Sequence, residues 1–176
     1  MNTKIKKHYT HVMFLAVFFM ITAVVPVFSL YPDKKITQYI HDMWGTEQGL
    51  PQNTVEAIIQ DKQGYLWLGT QGGLVRFDGV RFTVFHKGNT AQLLHNWIQD
   101  ILEDHSGNLW IATYGGGLTH LNQATGTFTT FTKAQGLSDN LLLCLYEDRK
   151  GSLWIGTDGS GLNVLQAGQF ITFTTR

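Results

Sequence analysis

Apolar and polar positions alternate along three stretches of this chain, and the three stretches repeat one another. Each stretch holds four short runs rich in Val, Ile, Leu, Thr and aromatic residues, and Gly or Asp residues separate the runs. Short alternating runs of this composition are typical of β-strands. In the first stretch, the pattern predicts strands over 54–60, 65–70, 73–78 and 81–86.

The repeat unit is about one propeller blade long. Trp67, Trp110 and Trp154 are 43 and 44 residues apart, and an asparagine opens each unit at 53, 96 and 140. Four strands in a repeat of about 40–45 residues are typical of a β-propeller blade. The sequence therefore predicts an all-β fold of four-stranded antiparallel blades over about 53–86, 96–132 and 140–174.

A further strand is predicted before the first blade. Residues 36–39 are similar to the last strand of a blade, and Gly49-Leu50-Pro51 after them is similar to Gly136-Leu137-Ser138. In a propeller, such a strand completes the last blade and removes the free sheet edge. Closed propellers usually have about four to eight blades, so we expect residues 36–176 to form a partial ring of three blades plus one closing strand.

The residues that recur in every unit have predicted structural roles. The aspartate of the D-x-x-G turn can accept backbone N–H groups, and the glycine allows a positive φ. One tryptophan per blade, at a fixed place, suggests that it fills the gap between neighbouring blades. The structural set is Asp61, Gly64, Trp67, Asp104, Gly107, Trp110, Asp148, Gly151 and Trp154.

Three segments of the first unit resemble the two-component regulator propeller repeat. They are Trp44-Gly-Thr-Glu-Gln-Gly-Leu-Pro51, the run from Ile59 to Thr70, and Gly73-Leu-Val-Arg-Phe-Asp-Gly79. The resemblance covers about 36–176, and it implies the periplasmic sensor region of bacterial hybrid histidine kinases or diguanylate cyclases, here as the N-terminal part. It also implies a glycan or another small periplasmic ligand. The remaining blades of a parent receptor, or another copy of the chain, are further expected partners.

The motifs favour a ligand-sensing module over an enzyme. The sequence contains no H-E-x-x-H, C-x-x-C, G-x-S-x-G or P-loop motif. We therefore predict no catalytic residue, no metal site and no cofactor, with any kinase or cyclase output lying outside this sequence. Two alternatives stay open: a secreted propeller enzyme, such as a lyase or glycosidase, and an inactive gene fragment.

Candidate ligand-binding residues are those at blade ends that vary between repeats. Two tryptophans, at 44 and 97, lie outside the repeated Trp position and offer flat apolar faces for a sugar ring. The alternative for both is packing between strands. The candidate set is Trp44, Asn53, Gln71, His95, Trp97, Tyr114 and Asp158.

The first 29 residues are typical of an export signal. Lys4, Lys6 and Lys7 precede an apolar run over 12–25, and Val27-Phe28-Ser29 provides a cleavage site. An uncleaved signal anchor is the alternative, and both place the propeller in the periplasm. The exported part keeps ten basic and 13 acidic side chains, a formal charge of −3 that argues against nucleic acid as a partner. The single cysteine, Cys144, lies in an apolar run and is predicted to be a small buried side chain.

Overall fold

The computed structural model describes residues 43–174, which form three four-stranded antiparallel sheets and two short 3₁₀ helices. The first sheet contains β1 (Val55–Gln60), β2 (Leu66–Thr70), β3 (Leu74–Phe77) and β4 (Phe82–Phe85). The second contains β5 (Ile98–Glu103), β6 (Leu109–Thr113), β7 (Gly117–Asn122) and β8 (Thr127–Phe131). The third contains β9 (Leu142–Glu147), β10 (Leu153–Thr157), β11 (Leu162–Gln166) and β12 (Gln169–Phe173). The 3₁₀ helices are Thr46–Gln48 and Lys133–Gln135.

Each sheet is a meander in which strands that follow one another in sequence are hydrogen-bonded neighbours. We call the three sheets blades 1, 2 and 3. The prediction of an all-β fold built from four-stranded antiparallel blades is confirmed, and the strands of blade 1 begin and end within one residue of the predicted runs. The predicted closing strand at 36–39 and the predicted export segment at 1–29 lie outside the described residues.

A hydrogen bond between aspartate and tryptophan fixes the first turn of every blade. In blade 1, Asp61 Oδ1 accepts from the Tyr65 N–H at 2.9 Å, and Asp61 Oδ2 accepts from Trp67 Nε1 at 2.7 Å. One carboxylate thus holds the turn and the tryptophan ring together. The equivalent pairs, both at 3.0 Å, are Asp104 with Trp110 and Asp148 with Trp154.

The repeated tryptophan fills the gap between its own blade and the next. Trp67 is only 2% exposed and belongs to a buried cluster that contains Leu74 of blade 1 and Ile98 of blade 2. Its ring also stacks on Phe85, with ring centroids 5.9 Å apart. A second buried cluster joins blades 2 and 3, and the partly buried Trp110 packs against it. Blades 1 and 2 therefore each bury this apolar face against the blade that follows, as expected of a repeat architecture.

A glutamate at the end of the innermost strand links blades 2 and 3 each to the blade before it. Glu103 of blade 2 accepts from the Lys62 N–H of blade 1 at 3.1 Å, and Lys62 Nζ donates to the His105 carbonyl of blade 2 at 2.9 Å. Glu147 of blade 3 accepts from the His105 N–H at 2.8 Å, and its second oxygen lies 2.5 Å from His105 Nδ1. Lys62 and His105 both directly follow the turn aspartate. The link is therefore part of the repeat.

Aromatic pairs form a second repeated contact. In each pair, an aromatic residue at the end of one outer strand meets the phenylalanine near the start of the next outer strand. Ring centroids are 5.6 Å apart between blades 1 and 2 and 5.7 Å apart between blades 2 and 3. A tryptophan that precedes blade 1 makes the corresponding contact with that blade at 5.5 Å. The pairs are Phe85–Phe128, Phe131–Phe170 and Trp44–Phe82.

The corresponding face of blade 3 is open among the described residues. On it, Tyr146 is 63% exposed, Phe173 is 53% exposed and Leu162 is 37% exposed. The prediction that Cys144 is buried is wrong, because its side chain lies on this open face. The equivalent residue of blade 1, Ala57, packs against the cluster that joins blades 1 and 2.

Candidate functional site

One edge of the three blades presents the side chains that vary between repeats. The start of each innermost strand pairs with the end of the second strand, so that Val55 lies opposite Thr70 and Ile98 lies opposite Thr113. We call this side the upper edge. A threonine ends the second strand in every blade, but the residue after it differs. These variable residues are Gln71, Tyr114 and Asp158.

The threonine holds the turn that presents the variable residue. In blade 2, Thr113 Oγ1 donates to the Gly117 carbonyl at 2.8 Å and accepts from the Gly116 N–H at 2.9 Å. The Gly117 N–H also donates to the Asn140 carbonyl of blade 3 at 3.1 Å. The turn is thus tied to two blades, and Tyr114 is presented from a rigid support.

Four of the seven predicted ligand-binding residues come together here, across blades 2 and 3. Tyr114 donates its hydroxyl to Asp158 Oδ2 at 2.7 Å. The rings of Tyr114 and Trp97 lie 4.8 Å apart at an angle of 47°. His95 Nδ1 accepts from the Trp97 N–H at 3.2 Å. We call His95, Trp97, Tyr114 and Asp158 the upper-edge cluster.

The upper edge carries carboxylate groups, which can accept hydrogen bonds from a ligand. The hydrogen bond to Asp158, and then the negative charge of that carboxylate, raise the pKa of Tyr114 above its ordinary value. Ser160 donates its hydroxyl to Asp139 at 2.6 Å, and this bond is the largest cause that lowers the pKa of Asp139. The upper edge therefore combines carboxylate acceptors with two aromatic faces. This arrangement suits a polyhydroxylated ligand better than an anionic one.

Gln71 lies at the upper edge of blade 1, within an amide network. Its Oε1 accepts from Gln52 Nε2 at 3.2 Å, and its Nε2 donates to Glu56 Oε1 at 3.2 Å. Gln71 is thus on the same side of the array as the upper-edge cluster but makes its own contacts within blade 1.

Trp44 and Asn53 line a separate hollow of about 430 Å³ around the first 3₁₀ helix. Trp44 packs edge-on against Phe77 at 4.8 Å, although 44% of its surface is exposed. Asn53 Oδ1 accepts from the Thr46 N–H at 3.1 Å. Asn96 and Asn140 make the same kind of bond, to Lys87 and Lys133. Asn53 therefore has a turn role that the repeat explains, and ligand binding by either residue stays a prediction.

Asp100 is a polar residue that the sequence-based set did not include. It is half-buried, its Oδ2 accepts from the Leu145 N–H of blade 3 at 2.7 Å, and desolvation raises its pKa above the ordinary value. The equivalent positions hold Ala57 and Cys144. This departure from the repeat is the feature of the sequence that could have identified Asp100. The carboxylate satisfies a backbone donor on the innermost strand of the next blade.

Two further features of residues 43–174 bear on the site. No group of three or more His, Cys, Asp or Glu side chains in this part of the chain is arranged to hold a metal ion. No helix within the same residues is long and apolar enough to cross a membrane.

The two-component regulator propeller family model matches residues 49–72, 92–115 and 136–159. Among solved structures, the extracellular domain of the hybrid two-component system BT3049 from B. thetaiotaomicron is similar at 31% identity and a TM-score of 0.70, over 75% of this chain and 20% of that chain. The corresponding domain of BT4673 from B. thetaiotaomicron is similar at 28% identity and a TM-score of 0.57, over 70% of this chain and 19% of that chain. This chain thus spans about a fifth of the length of each.

Virginiamycin B lyase from Staphylococcus aureus is similar at 15% identity and a TM-score of 0.55, over 71% of this chain and 42% of that chain. At this identity the likeness concerns the fold alone. The comparison with curated proteins finds no match.

Proposed function

Because this chain belongs to the two-component regulator propeller family, we propose that it forms part of the periplasmic ligand-sensing propeller of a bacterial signal-transduction receptor. Two observations support the proposed periplasmic location and the proposed class of receptor. The similar structures BT3049 and BT4673 are extracellular domains of hybrid two-component systems. The N-terminal segment has the charge and hydropathy pattern of an export signal. The remaining blades of the ring come from a longer receptor.

The upper-edge cluster is the observation that carries the proposal. Four side chains that vary between the repeats meet across two blades, on turns that the repeated threonine and asparagine hold in place. A binding site on a repeat scaffold is expected where the sequence departs from the repeat while the backbone does not. The proposed ligand is a glycan fragment or a similar polyhydroxylated molecule. Its ring packs on Trp97 and Tyr114, and its hydroxyl groups donate to Asp158.

Binding of soluble oligosaccharides to the full chain tests this proposal. Isothermal titration calorimetry of a panel of neutral glycan fragments should find at least one that binds. Asp158→Asn should weaken that binding by about tenfold, because it removes the charged acceptor for a ligand hydroxyl, and Tyr114→Ala should do the same, because it removes one of the two rings on which the ligand packs. Tyr146→Ala is the matched control, since Tyr146 lies on the open face of blade 3. Equal affinity of wild type, Tyr114→Ala and Asp158→Asn for the bound fragment would refute a site at the upper edge.

The same samples distinguish the sensor from its alternatives. A secreted lyase or glycosidase would convert the bound glycan, and chromatography of the mixture would show new reducing ends. An inactive gene fragment would bind no member of the panel.

A further inference from the structure

A second concave site lies between blades 1 and 2, on the side opposite the upper edge. Its volume is about 360 Å³, which is within the range of small-molecule pockets. The groove collects residues from the first and last turns of the two blades. Its polar lining is Gln63, Arg76, Thr83 and Gln123, and its aromatic lining is Trp67, Phe85 and Phe128.

Arg76 is the only cation among these lining residues. Its guanidinium lies over the ring of Tyr65, 4.8 Å from the centroid, and 5.9 Å from the centroid of the Trp67 ring. The ion pair found within residues 43–174 joins His105 and Glu147. No carboxylate of these residues therefore lies within salt-bridge distance of the Arg76 guanidinium. A guanidinium that is stacked on two rings is held in orientation, so its N–H groups are available without a further ordering cost.

The other polar side chains of the groove are also without protein partners among the described residues. The side chains of Gln63, Thr83 and Gln123 make no hydrogen bond to another residue in 43–174, and Gln123 Nε2 is buried with no acceptor. Buried amides without a partner are rare, because the unmade hydrogen bond has a cost. A ligand oxygen in the groove would satisfy this amide.

The equivalent place between blades 2 and 3 shows which features of the groove are required for packing between blades. In the corresponding place between blades 2 and 3, His120 pairs with Trp110 as Arg76 pairs with Trp67. The four-residue turn that begins with Gln123 is replaced in blade 3 by the two-residue turn Ala167-Gly168. Burial is the main cause that lowers the pKa of His120, so that this ring is neutral near pH 7. The charge and the unpaired amide are therefore particular to the groove between blades 1 and 2, and blade packing does not require them.

We propose that this groove binds a small carboxylate-bearing ring compound, such as an acidic sugar. Arg76 pairs with the carboxylate through two parallel N–H groups. The amides of Gln63 and Gln123 bond to ring hydroxyls, and the rings of Phe85 and Phe128, whose centroids are 5.6 Å apart, offer an apolar wall. The groove does not share a side chain with the upper-edge cluster. This inference therefore stands or falls independently of the proposed glycan site.

Titration of the full chain with galacturonate tests the proposal, with galactose and sodium sulfate as the neutral-ring and anion-only probes. Galacturonate should bind at least about tenfold more tightly than either, because only it satisfies both the guanidinium and the amides. Arg76→Gln should weaken galacturonate binding by about tenfold or more. Arg76→Lys should restore only part of it, because a lysine lacks the bidentate geometry.

Gln123→Ala provides a second variant away from the buried core, and it should weaken binding several-fold. Arg81→Gln, an exposed arginine two residues from the groove residue Thr83, and Tyr114→Phe at the upper edge should leave galacturonate affinity unchanged. Thermal melts that coincide with wild type establish that each variant is folded. Absence of galacturonate binding, equal affinity for sulfate, or unchanged affinity in folded Arg76→Gln and Gln123→Ala would each overturn the proposal.

Discussion

The three repeated tryptophans allow one interaction to be tested in different surroundings. Trp67 is 2% exposed between blades 1 and 2, whereas Trp154 is only partly buried, on the blade 3 face that is open among the described residues. An aromatic side chain of about 200 Å², buried at about 25 cal/mol per Å², contributes about 5 kcal/mol. Because Trp67→Ala leaves a cavity enclosed by two blades, we expect it to lower the free energy of unfolding by about 3–5 kcal/mol.

Trp154→Ala should cost about 1–2 kcal/mol, since its surroundings can fill with water and less apolar surface is lost. Urea unfolding of the full chain, followed by far-UV circular dichroism, measures both values by linear extrapolation. Circular dichroism of the backbone is preferred to fluorescence, because the substitutions themselves remove a fluorophore. Equal losses for the two variants would refute the assignment of the repeated tryptophan to the gap between blades.

Trp67→Phe and Trp154→Phe serve as controls for the hydrogen bond. Both keep a ring but lose the indole N–H that bonds to Asp61 at 2.7 Å or to Asp148 at 3.0 Å. Each should therefore lose a similar increment of about 1 kcal/mol through the missing hydrogen bond. The difference between the two alanine variants then measures burial alone.

Three further predictions concern single contacts. Tyr114 should ionise above the ordinary tyrosine pKa in an absorbance titration near 295 nm (a wavelength typical of tyrosinate), measured as the difference between wild type and Tyr114→Phe, and Asp158→Asn should lower this pKa. Because the pKa is raised, the stabilising contribution of the pair is present below the unfolded-state pKa and is lost as the pH rises through the folded-state value. Glu147→Ala should lower the unfolding free energy by about 1 kcal/mol, because the backbone N–H of His105 loses its acceptor, and urea titration would show no change if the link did not matter. Cys144 should react with a thiol reagent at the rate of an exposed cysteine before unfolding; reaction only in urea would mean that the open face of blade 3 is covered in solution.

The fold was predictable because the sequence contains the same information three times. Strand composition, turn residues and a spacing of 43 or 44 residues agree in every unit, and the structure places the strands of blade 1 within one residue of the pattern. The role of Trp67 followed from its recurrence, since a residue repeated at one place in every blade must meet a repeated environment. Cys144 shows the limit of this reasoning. An apolar run is buried only where a neighbouring blade covers it.

The candidate sites were predictable only in part. Variation between repeats identified His95, Trp97, Tyr114 and Asp158, and the backbone register brought them together. Variation between repeats did not identify Arg76. In the strand run Gly73–Asp78, the alternation of apolar and polar residues predicts that an arginine at this position faces solvent. Only the packing of blade 2 against blade 1 turns that position into the wall of a groove. A site that forms between repeats depends on pairs of positions in different units. The sequence of one unit alone is therefore not enough to predict it.

The glutamate links and the aromatic pairs also constrain how such arrays can change in length during evolution. Blade 2 carries both halves of each contact, because Glu103 and Phe128 face blade 1 whereas His105 and Phe131 face blade 3. A recombination event that removes or duplicates one whole period joins two matching halves and leaves no orphaned charge or ring. Gain or loss of a complete blade therefore preserves both kinds of contact, whereas gain or loss of part of a blade leaves one half of a contact without its partner.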